Sequence, residues 1–297
     1  MKKVIFIGGT SYSGSTLLDM ILANSNKGYS LGEVYRIFYP CRIHHFQEID
    51  ILKNERLGQK ILTGGKKRLY ENIFNYFPKI EFVVDSSKDP YWIYLQKKYL
   101  QKTDIRCSNV LIYKTIPELA HSFEKRGELS KLEKTISSYY RNYLYYVKNF
   151  QSISYRDLVE DGTALEHLCH FLEIDYFEGK RKYWNKIHQT FFGNNRARIH
   201  TDNLKFRGEK NLKNLQKEGR KKIYYNPPYK NNLIEFGENL EMKYKNILHD
   251  ICYNKTNNSW NELFLMRKIL TEFVKYYFRR SYAKLFYKIF NHNSKLP

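Results

Sequence analysis

The chain has 297 residues, of which 42% are hydrophobic, so it can form a full core in one large domain or in a domain with an appendage. Its 51 lysines and arginines outnumber its 30 acidic residues and give a formal net charge of +21, which favours acidic partners. A bias toward AT-rich codons would produce a similar lysine- and tyrosine-rich composition, so the charge alone names no partner. No stretch approaches the roughly 20 apolar residues of a membrane-spanning helix, which excludes an integral membrane protein of that kind.

The first predicted elements are a strand, a glycine-rich loop and a helix. Residues 4–7 form a continuous apolar run that ends in Gly8 and Gly9, and residues 16–22 have the apolar spacing of a helix packed on a sheet. Three further strands are predicted by short apolar runs at residues 82–84, 110–113 and 152–155. A helix-like stretch follows each of them, and this alternation favours a three-layer α/β fold with a mainly parallel sheet.

The sequence pattern changes twice in the last third of the chain. Residues 186–228 lack a clear period and are rich in Gly, Asn, Arg and Lys, which predicts long loops, and we interpret them as a lid over a substrate or a donor. Residues 260–290 return to a helical pattern with Lys and Arg between apolar positions. The sequence therefore predicts a catalytic domain over residues 1–255 and a basic amphipathic helical extension over residues 256–297.

Two interpretations of this helical extension are open. It packs against its own domain, or it lies on anionic lipid as basic amphipathic helices do. The apolar run at the amino terminus is too short for a signal-peptide core, so we expect a cytoplasmic protein. The second interpretation would place it at the inner face of the membrane.

A candidate phosphate loop follows the first strand. Residues 9–16 have the glycine spacing of a nucleotide-binding P-loop, but Ser15 stands where a kinase or an ATPase has its phosphate-binding lysine. Backbone N–H groups of such a loop and of the next helix point at one anion, and hydroxyl groups add donors. We therefore predict that Ser13, Gly14, Ser15 and Thr16 bind a phosphate-like group. A plain Gly/Ser turn between a strand and a helix is the alternative.

Three segments resemble those of sulfotransferases that use 3′-phosphoadenosine-5′-phosphosulfate (PAPS). Residues 13–18, S-G-S-T-L-L, resemble the loop that binds the 5′-phosphosulfate. Gly32-Glu33 is similar to a pair in bacterial and tyrosylprotein sulfotransferases whose glutamate is the general base, and residues 85–90 are similar to the segment whose lysine faces the transferring sulfuryl group. The resemblance implies that Glu33 and Lys88 are catalytic, against the alternatives of a solvated loop glutamate and a surface lysine.

Two later segments extend the resemblance. Lys114 and Ser122 keep the eight-residue spacing of the arginine and serine that bind the donor's 3′-phosphate in this family, although a helix-entry lysine and a core-side serine would look the same. Residues 154–159 are similar to the family's Y-E-D-L-V, which implies that Tyr155 lies near the adenine. Over residues 3–210, five motifs in the family's order imply a fold of the P-loop nucleotide-kinase-like type.

The chain departs from the family pattern at two positions. Tyr12 precedes the loop serine where many members have Arg or Lys, and Lys114 replaces a bidentate guanidinium with a point-charge ammonium. Either donor affinity is weaker than usual, or another base such as Arg126, Arg198 or Arg207 assists.

The sequence thus predicts an enzyme that moves a sulfuryl group from PAPS to a hydroxyl of an acceptor. A carbohydrate, such as a cell-surface glycan or its precursor, is our leading candidate. We expect no metal, because sulfuryl transfer needs none in principle and the four cysteines lack the close pairing of metal sites.

Two other classes compete with this function. A P-loop kinase or NTPase would share the glycine loop, but the missing lysine and the lack of a clear acidic magnesium motif argue against it. A basic nucleic-acid-binding protein would share the charge and the interleaved tyrosines. Charge alone supports that class weakly, so we expect no nucleic-acid partner.

Overall fold

The computed structural model describes residues 1–160, 162–186, 188, 190–192, 231–253, 278, 280–285 and 287. The chain divides into two compact units: the first comprises residues 1–33 and 79–257, and the second comprises residues 34–78 and 258–297. The expected boundary between residues 255 and 256 stays a prediction, because most of the extension lies outside the described residues.

The first unit is built on a five-stranded sheet. Its strands are Lys3–Gly8 (β1), Gly28–Gly32 (β2), Phe82–Asp85 (β3), Arg106–Tyr113 (β4) and Phe150–Ser154 (β5). They lie in the order β2-β3-β1-β4-β5, and every neighbouring pair is parallel. The predicted α/β fold of the P-loop type with a mainly parallel sheet is confirmed.

Helices follow the strands of this sheet and also form most of the described part of the second unit. In chain order, the helices are Ser15–Leu22 (α1), Ile43–Leu52 (α2), Arg56–Gly64 (α3), Leu69–Tyr76 (α4), Pro90–Leu100 (α5), Ile116–Glu124 (α6), Leu132–Tyr146 (α7), Tyr155–Glu160 (α8), Gly162–Phe171 (α9), Asn231–Lys243 (α10) and Lys245–Cys252 (α11). Helices α2, α3 and α4 belong to the second unit. Within the described ranges, no helix is long and apolar enough to cross a membrane.

Burial explains the apolar sequences of the central strand β1 and of the first helix α1. Every residue of β1 is buried, as its continuous apolar run predicts for a parallel strand covered on both faces. All eight residues of α1 are buried as well, and Leu18 and Ile21 pack with Ile5 and Ile7 in one apolar cluster. The strand, loop and helix at the amino terminus are therefore held firmly at the centre of the unit.

The structure differs from the sequence-based prediction in two strands. Strand β2 was not predicted, because residues 28–32 read G-Y-S-L-G and contain no β-branched residue. It is an edge strand that pairs with β3, and a Cβ on Gly28 would lie 2.5 Å from the Phe82 ring, so the close approach requires glycine. The strand predicted over residues 152–155 ends at Ser154, and Tyr155 begins α8 instead.

The topology creates an edge of the kind at which open α/β sheets bind ligands. The carboxyl ends of parallel strands lie at one edge of the sheet. After β1 the chain continues to β2 on one side of the sheet, and after β4 it continues to β5 on the other side. Ligands of open α/β sheets bind at such a reversal, outside the carboxyl ends of the strands. The phosphate loop that follows β1 lies at this point.

Candidate active site

The predicted site residues follow the carboxyl ends of all five strands. The phosphate loop follows β1, and four single residues follow the remaining strands, namely Glu33 (β2), Lys88 (β3), Lys114 (β4) and Tyr155 (β5). Ser122 lies in α6, the helix that begins just after Lys114. The structure brings these segments to one edge, whereas Arg198 and Arg207 lie outside the described residues.

The phosphate loop needs glycine at two positions. Gly9 has a φ of +156° and Gly14 a φ of +103°, values that L side chains rarely adopt. A Cβ on Gly9 would lie 2.8 Å from the Ile112 carbonyl oxygen, and one on Gly14 would lie 2.5 Å from the Tyr155 ring. The loop therefore curls tightly against β4 and against the start of α8.

The amino end of α1 offers hydrogen-bond donors to an anion. Gly14 is the N-cap and supplies no side-chain cap, and the Leu18 N–H donates to the Gly14 carbonyl at 3.1 Å as the first intrahelical bond. The N–H groups of the first turn have no intrahelical acceptor in any α-helix. Ser13 is fully buried, and its Oγ has no hydrogen-bond partner among the described residues. Buried hydroxyls are normally paired, so these donors fit a phosphate-like ligand.

Glu33 and Lys88 form an ion pair across the ends of two neighbouring strands. Lys88 Nζ donates to Glu33 Oε1 at 2.5 Å, and the side chains are 22% and 17% exposed, respectively. Glu33 is further held by its N–H, which donates to the Phe191 carbonyl at 2.9 Å. A carboxylate that can take a proton and an ammonium that can balance negative charge are therefore one hydrogen bond apart.

Asp19 ties the segments of this ion pair to α1. Its Oδ2 accepts hydrogen bonds from the Gly32 N–H at 3.1 Å and from Ser86 Oγ at 2.6 Å. The Ser86 N–H also donates to the Gly32 carbonyl at 2.9 Å. Gly32 precedes Glu33, and Ser86 lies two residues before Lys88, so one buried carboxylate supports both. Sequence reasoning missed this role, although a carboxylate within the apolar run of residues 17–22 was a usable signal.

The buried carboxyl of Asp19 leads to a prediction about stability and pH. Burial raises the pKa of Asp19 from 3.8 to about 7, so the folded protein binds its proton more tightly than the unfolded chain does. The stability from this group is complete below pH 4 and is lost as pH rises to about 7, by on the order of 4 kcal/mol. We therefore expect the free energy of unfolding in urea to fall less between pH 4 and pH 7 for Asp19→Asn than for the wild type.

The exposed Asp104 provides the control for this experiment. Asp104→Asn should keep the wild-type pH dependence, because its carboxyl is in solvent in both states. A pH dependence that Asp19→Asn leaves unchanged would contradict the assignment.

A second group of predicted residues meets beside the phosphate loop. Lys114 Nζ lies 3.2 Å from Ser122 Oγ and 4.3 Å from the centroid of the Tyr155 ring. Thr115 and Glu118 form a capping box that begins α6 and fixes the turn after β4. Burial lowers the pKa of Lys114 to about 8. A cation, a hydroxyl and an aromatic ring are thus available to one ligand.

Arg126 lies next to both Tyr12 and Ser122. Its guanidinium carbon is 4.0 Å from the centroid of the Tyr12 ring, and its Nη1 donates to the Ser122 carbonyl at 2.6 Å. The Tyr12 hydroxyl donates to Glu128 Oε2 at 2.7 Å. A guanidinium therefore covers the tyrosine that stands in place of the expected basic residue, and its contact with the donor stays a prediction.

Tyr139 is a second supporting residue that sequence reasoning missed. The Gly9 N–H donates to Tyr139 Oη at 2.7 Å, and this hydroxyl donates to the Lys88 carbonyl at 2.7 Å. No short motif marks Tyr139, because it lies in α7, well away in sequence from both partners.

Asp85, which ends β3, has a structural role. Its carboxylate accepts hydrogen bonds from Trp92 Nε1 at 2.9 Å and from the Ser87 N–H at 2.8 Å. In the part of the chain that the structure describes, no group of three or more His, Cys, Asp or Glu side chains could hold a metal ion.

Comparison with known proteins identifies the fold. No protein-family model matches the chain, and no curated protein matches it. The sulfotransferase domain from the curacin biosynthetic pathway is 15% identical, with 82% of this chain and 98% of that chain covered and a TM-score of 0.50. The sulfotransferase domain from the Synechococcus PCC 7002 olefin synthase is 18% identical, with 80% and 94% covered and a TM-score of 0.45. The curacin-pathway likeness shows that this chain has the fold of a sulfotransferase domain.

Proposed function

We propose that the protein is a sulfotransferase that moves a sulfuryl group from PAPS to a hydroxyl of an acceptor. The observation that carries this proposal is the pairing of Glu33 with Lys88 at 2.5 Å, at the same edge of the sheet as the phosphate loop. Sulfuryl transfer needs a base for the acceptor and positive charge for the transferring group, beside a site for a nucleotide phosphate. These parts occur together here.

The donor would lie along the carboxyl edge of the sheet. The loop formed by residues 13–16 would hold the 5′-phosphosulfate, because its donors include the buried Ser13 hydroxyl. Lys114 and Ser122 would bind the 3′-phosphate, with Arg126 as a further cation, and the Tyr155 ring would lie near the adenine. That Arg198 and Arg207 also bind the donor near its 3′-phosphate stays a prediction.

The proposed reaction is an in-line displacement at sulfur. The acceptor oxygen forms a bond to sulfur while the bond from sulfur to the 5′-phosphate oxygen breaks, which releases adenosine 3′,5′-bisphosphate. Glu33 accepts the proton of the acceptor hydroxyl. Lys88 balances negative charge on the sulfuryl oxygens and on the leaving phosphate, together with the N–H groups of the loop.

We further propose that the acceptor is a carbohydrate. A sugar hydroxyl is a much weaker acid than a phenol, so its transfer depends more strongly on a base. The half-buried glutamate beside Lys88 supports an acceptor of this kind. A cell-surface glycan or its precursor is the acceptor class that we propose.

Two measurements test the proposed function. Labelled sulfate should pass from PAPS to sugars in a screen that also contains phenols, tyrosine peptides and lipids. In titrations, adenosine 3′,5′-bisphosphate should bind more tightly than ATP or a single-stranded oligonucleotide. Preference for ATP would favour a kinase or an NTPase, and preference for the oligonucleotide would favour a nucleic-acid-binding protein.

The assignment of Lys114 leads to a prediction about donor recognition. Lys114→Ala should weaken binding of adenosine 3′,5′-bisphosphate by about 1.5–3 kcal/mol, the range for hydrogen bonds to charged groups. Binding of adenosine 5′-phosphate should change little, because that ligand has no 3′-phosphate. Calorimetric titration of both ligands measures the difference, and equal losses would contradict the assignment.

The pKa of Lys114 adds a pH arm to this experiment. In the free protein the ammonium is lost above pH 8, so affinity for the bisphosphate should fall as pH rises past that value. Lys114→Arg should remove this fall, because a guanidinium keeps its charge. A wild-type affinity that stays constant up to pH 9.5 would contradict a role for the ammonium.

A further inference from the structure

The Tyr139 hydroxyl connects the ends of two neighbouring strands. It accepts a hydrogen bond from the N–H of Gly9, the first residue after β1, and donates one to the carbonyl of Lys88, which follows β3. Both bonds are 2.7 Å long, a distance typical of well-formed hydrogen bonds. One side chain from α7 thus contacts the phosphate loop and the segment of the proposed catalytic lysine.

The backbone of Lys88 needs such support. Its φ of 66° lies in the left-handed region, which is sterically unfavourable for a residue with a side chain. Such conformations persist where surrounding contacts determine them. The following residue, Asp89, caps α5 by accepting the Trp92 N–H at 2.8 Å, and the Tyr139 hydroxyl donates to the Lys88 carbonyl. The backbone on which Lys88 reaches Glu33 is therefore held by two hydrogen bonds.

The tyrosine ring is itself held in place. It stacks on Tyr143 with ring centroids 6.1 Å apart and meets Tyr140 edge to face at 5.8 Å. Burial raises the pKa of Tyr139 well above its ordinary value, so the hydroxyl keeps its proton and remains a donor to the Lys88 carbonyl. The position of the hydroxyl is therefore set by the packing of α7.

We propose that Tyr139 is a positioning residue that fixes Lys88 relative to the phosphate loop, so that the lysine contacts the sulfuryl group of a donor bound by the loop. The inference rests on the proposed sulfuryl transfer. Small errors in the alignment of reacting groups lower rates strongly, so the effect of Tyr139 belongs to the catalytic step rather than to donor affinity.

Tyr139→Phe tests this role because it removes the hydroxyl and keeps the ring. We expect kcat to fall about 10- to 100-fold, while affinity for adenosine 3′,5′-bisphosphate stays within about threefold. Tyr143→Phe is the matched control, since the Tyr143 hydroxyl has no hydrogen-bond partner within the described part of the chain. It should keep the wild-type kcat. A Tyr139→Phe enzyme with the wild-type kcat would overturn the inference.

A double-mutant cycle separates positioning of Lys88 from a general loss of structure. If Tyr139 acts through Lys88, then Tyr139→Phe should lower the rate of Lys88→Met only slightly further. Full additivity of the two effects would overturn the inference, because it would mean that Tyr139 acts independently of the lysine.

One readout does not depend on sulfotransferase activity. The Gly9 amide should exchange its hydrogen at least about tenfold faster in Tyr139→Phe than in the wild type, and Tyr143→Phe should leave the rate unchanged. If the wild type transfers no sulfate, the proposed function fails, and this measurement still decides whether Tyr139 holds the loop. Unchanged exchange in Tyr139→Phe would overturn the positioning role.

Discussion

Glu33→Gln is expected to lower the single-turnover rate of sulfate transfer to a sugar hydroxyl by about 10²-fold or more. Glutamine has nearly the same volume and can still accept a hydrogen bond, but it cannot take a proton at neutral pH. Affinity for adenosine 3′,5′-bisphosphate should stay almost unchanged, because a base acts on the acceptor and not on the donor. The rate is measured at saturating PAPS, so that the loss appears in the catalytic step.

The acceptor makes this experiment more specific. A phenol loses its proton more easily than a sugar alcohol, so the defect of Glu33→Gln should be smaller with a phenol. The exposed Glu166 on α9 provides the control, and Glu166→Gln should transfer sulfate at the wild-type rate. A wild-type rate of Glu33→Gln on a sugar hydroxyl would mean that Glu33 is not the base.

Lys88→Met is expected to lower the rate by about 10²- to 10³-fold, the range for loss of one electrostatic contact to a transition state. Methionine keeps the unbranched, apolar part of the side chain and removes the charge. The defect should be similar for phenol and sugar acceptors, since the proposed partners of Lys88 are the sulfuryl group and the leaving phosphate. Glu33→Gln and Lys88→Met are thus distinguished by their dependence on the acceptor.

The exposed Lys102 gives a matched control for this variant. Lys102→Met removes the same charge from the turn after α5, at the opposite end of that helix, and should not change the rate. Equal losses in Lys88→Met and Lys102→Met would point to the net charge of the protein and would contradict a specific role for Lys88.

Local pattern was sufficient to predict the strand, loop and helix that form the candidate phosphate loop. The apolar run at residues 4–7, the glycine loop and the buried helix after it are continuous in sequence, so spacing alone located Ser13 and Gly14. The pairing of Lys114 with Ser122 was implied only by the family resemblance, because Lys114 precedes α6 and helical spacing would separate residues eight apart by about 12 Å along the axis. The structure brings these two side chains within 3.2 Å.

Contacts between distant segments could not be predicted in this way. Tyr139 acts through hydrogen bonds to backbone groups of other elements, and a backbone N–H or carbonyl leaves no trace in residue type. Asp19 is conspicuous as a carboxylate in an apolar run, but its partners Gly32 and Ser86 do not follow from local spacing. Strand β2 was missed for a related reason, since a G-Y-S-L-G edge strand is stabilised by its pairing with β3 more than by its own β-propensity. Tertiary context determined each of these features.

The order of the strands also affects how the protein folds. The central strand β1 precedes the other four strands in the chain, and both of its neighbours, β3 and β4, come much later. Closing such long loops costs entropy before any pairing compensates for it, which makes folding slow and nonlocal. The glycine loop that follows β1 packs against Ile112 of β4 and donates a hydrogen bond to Tyr139, which is synthesised later still. The candidate phosphate loop can therefore acquire its shape only after most of the sheet has formed.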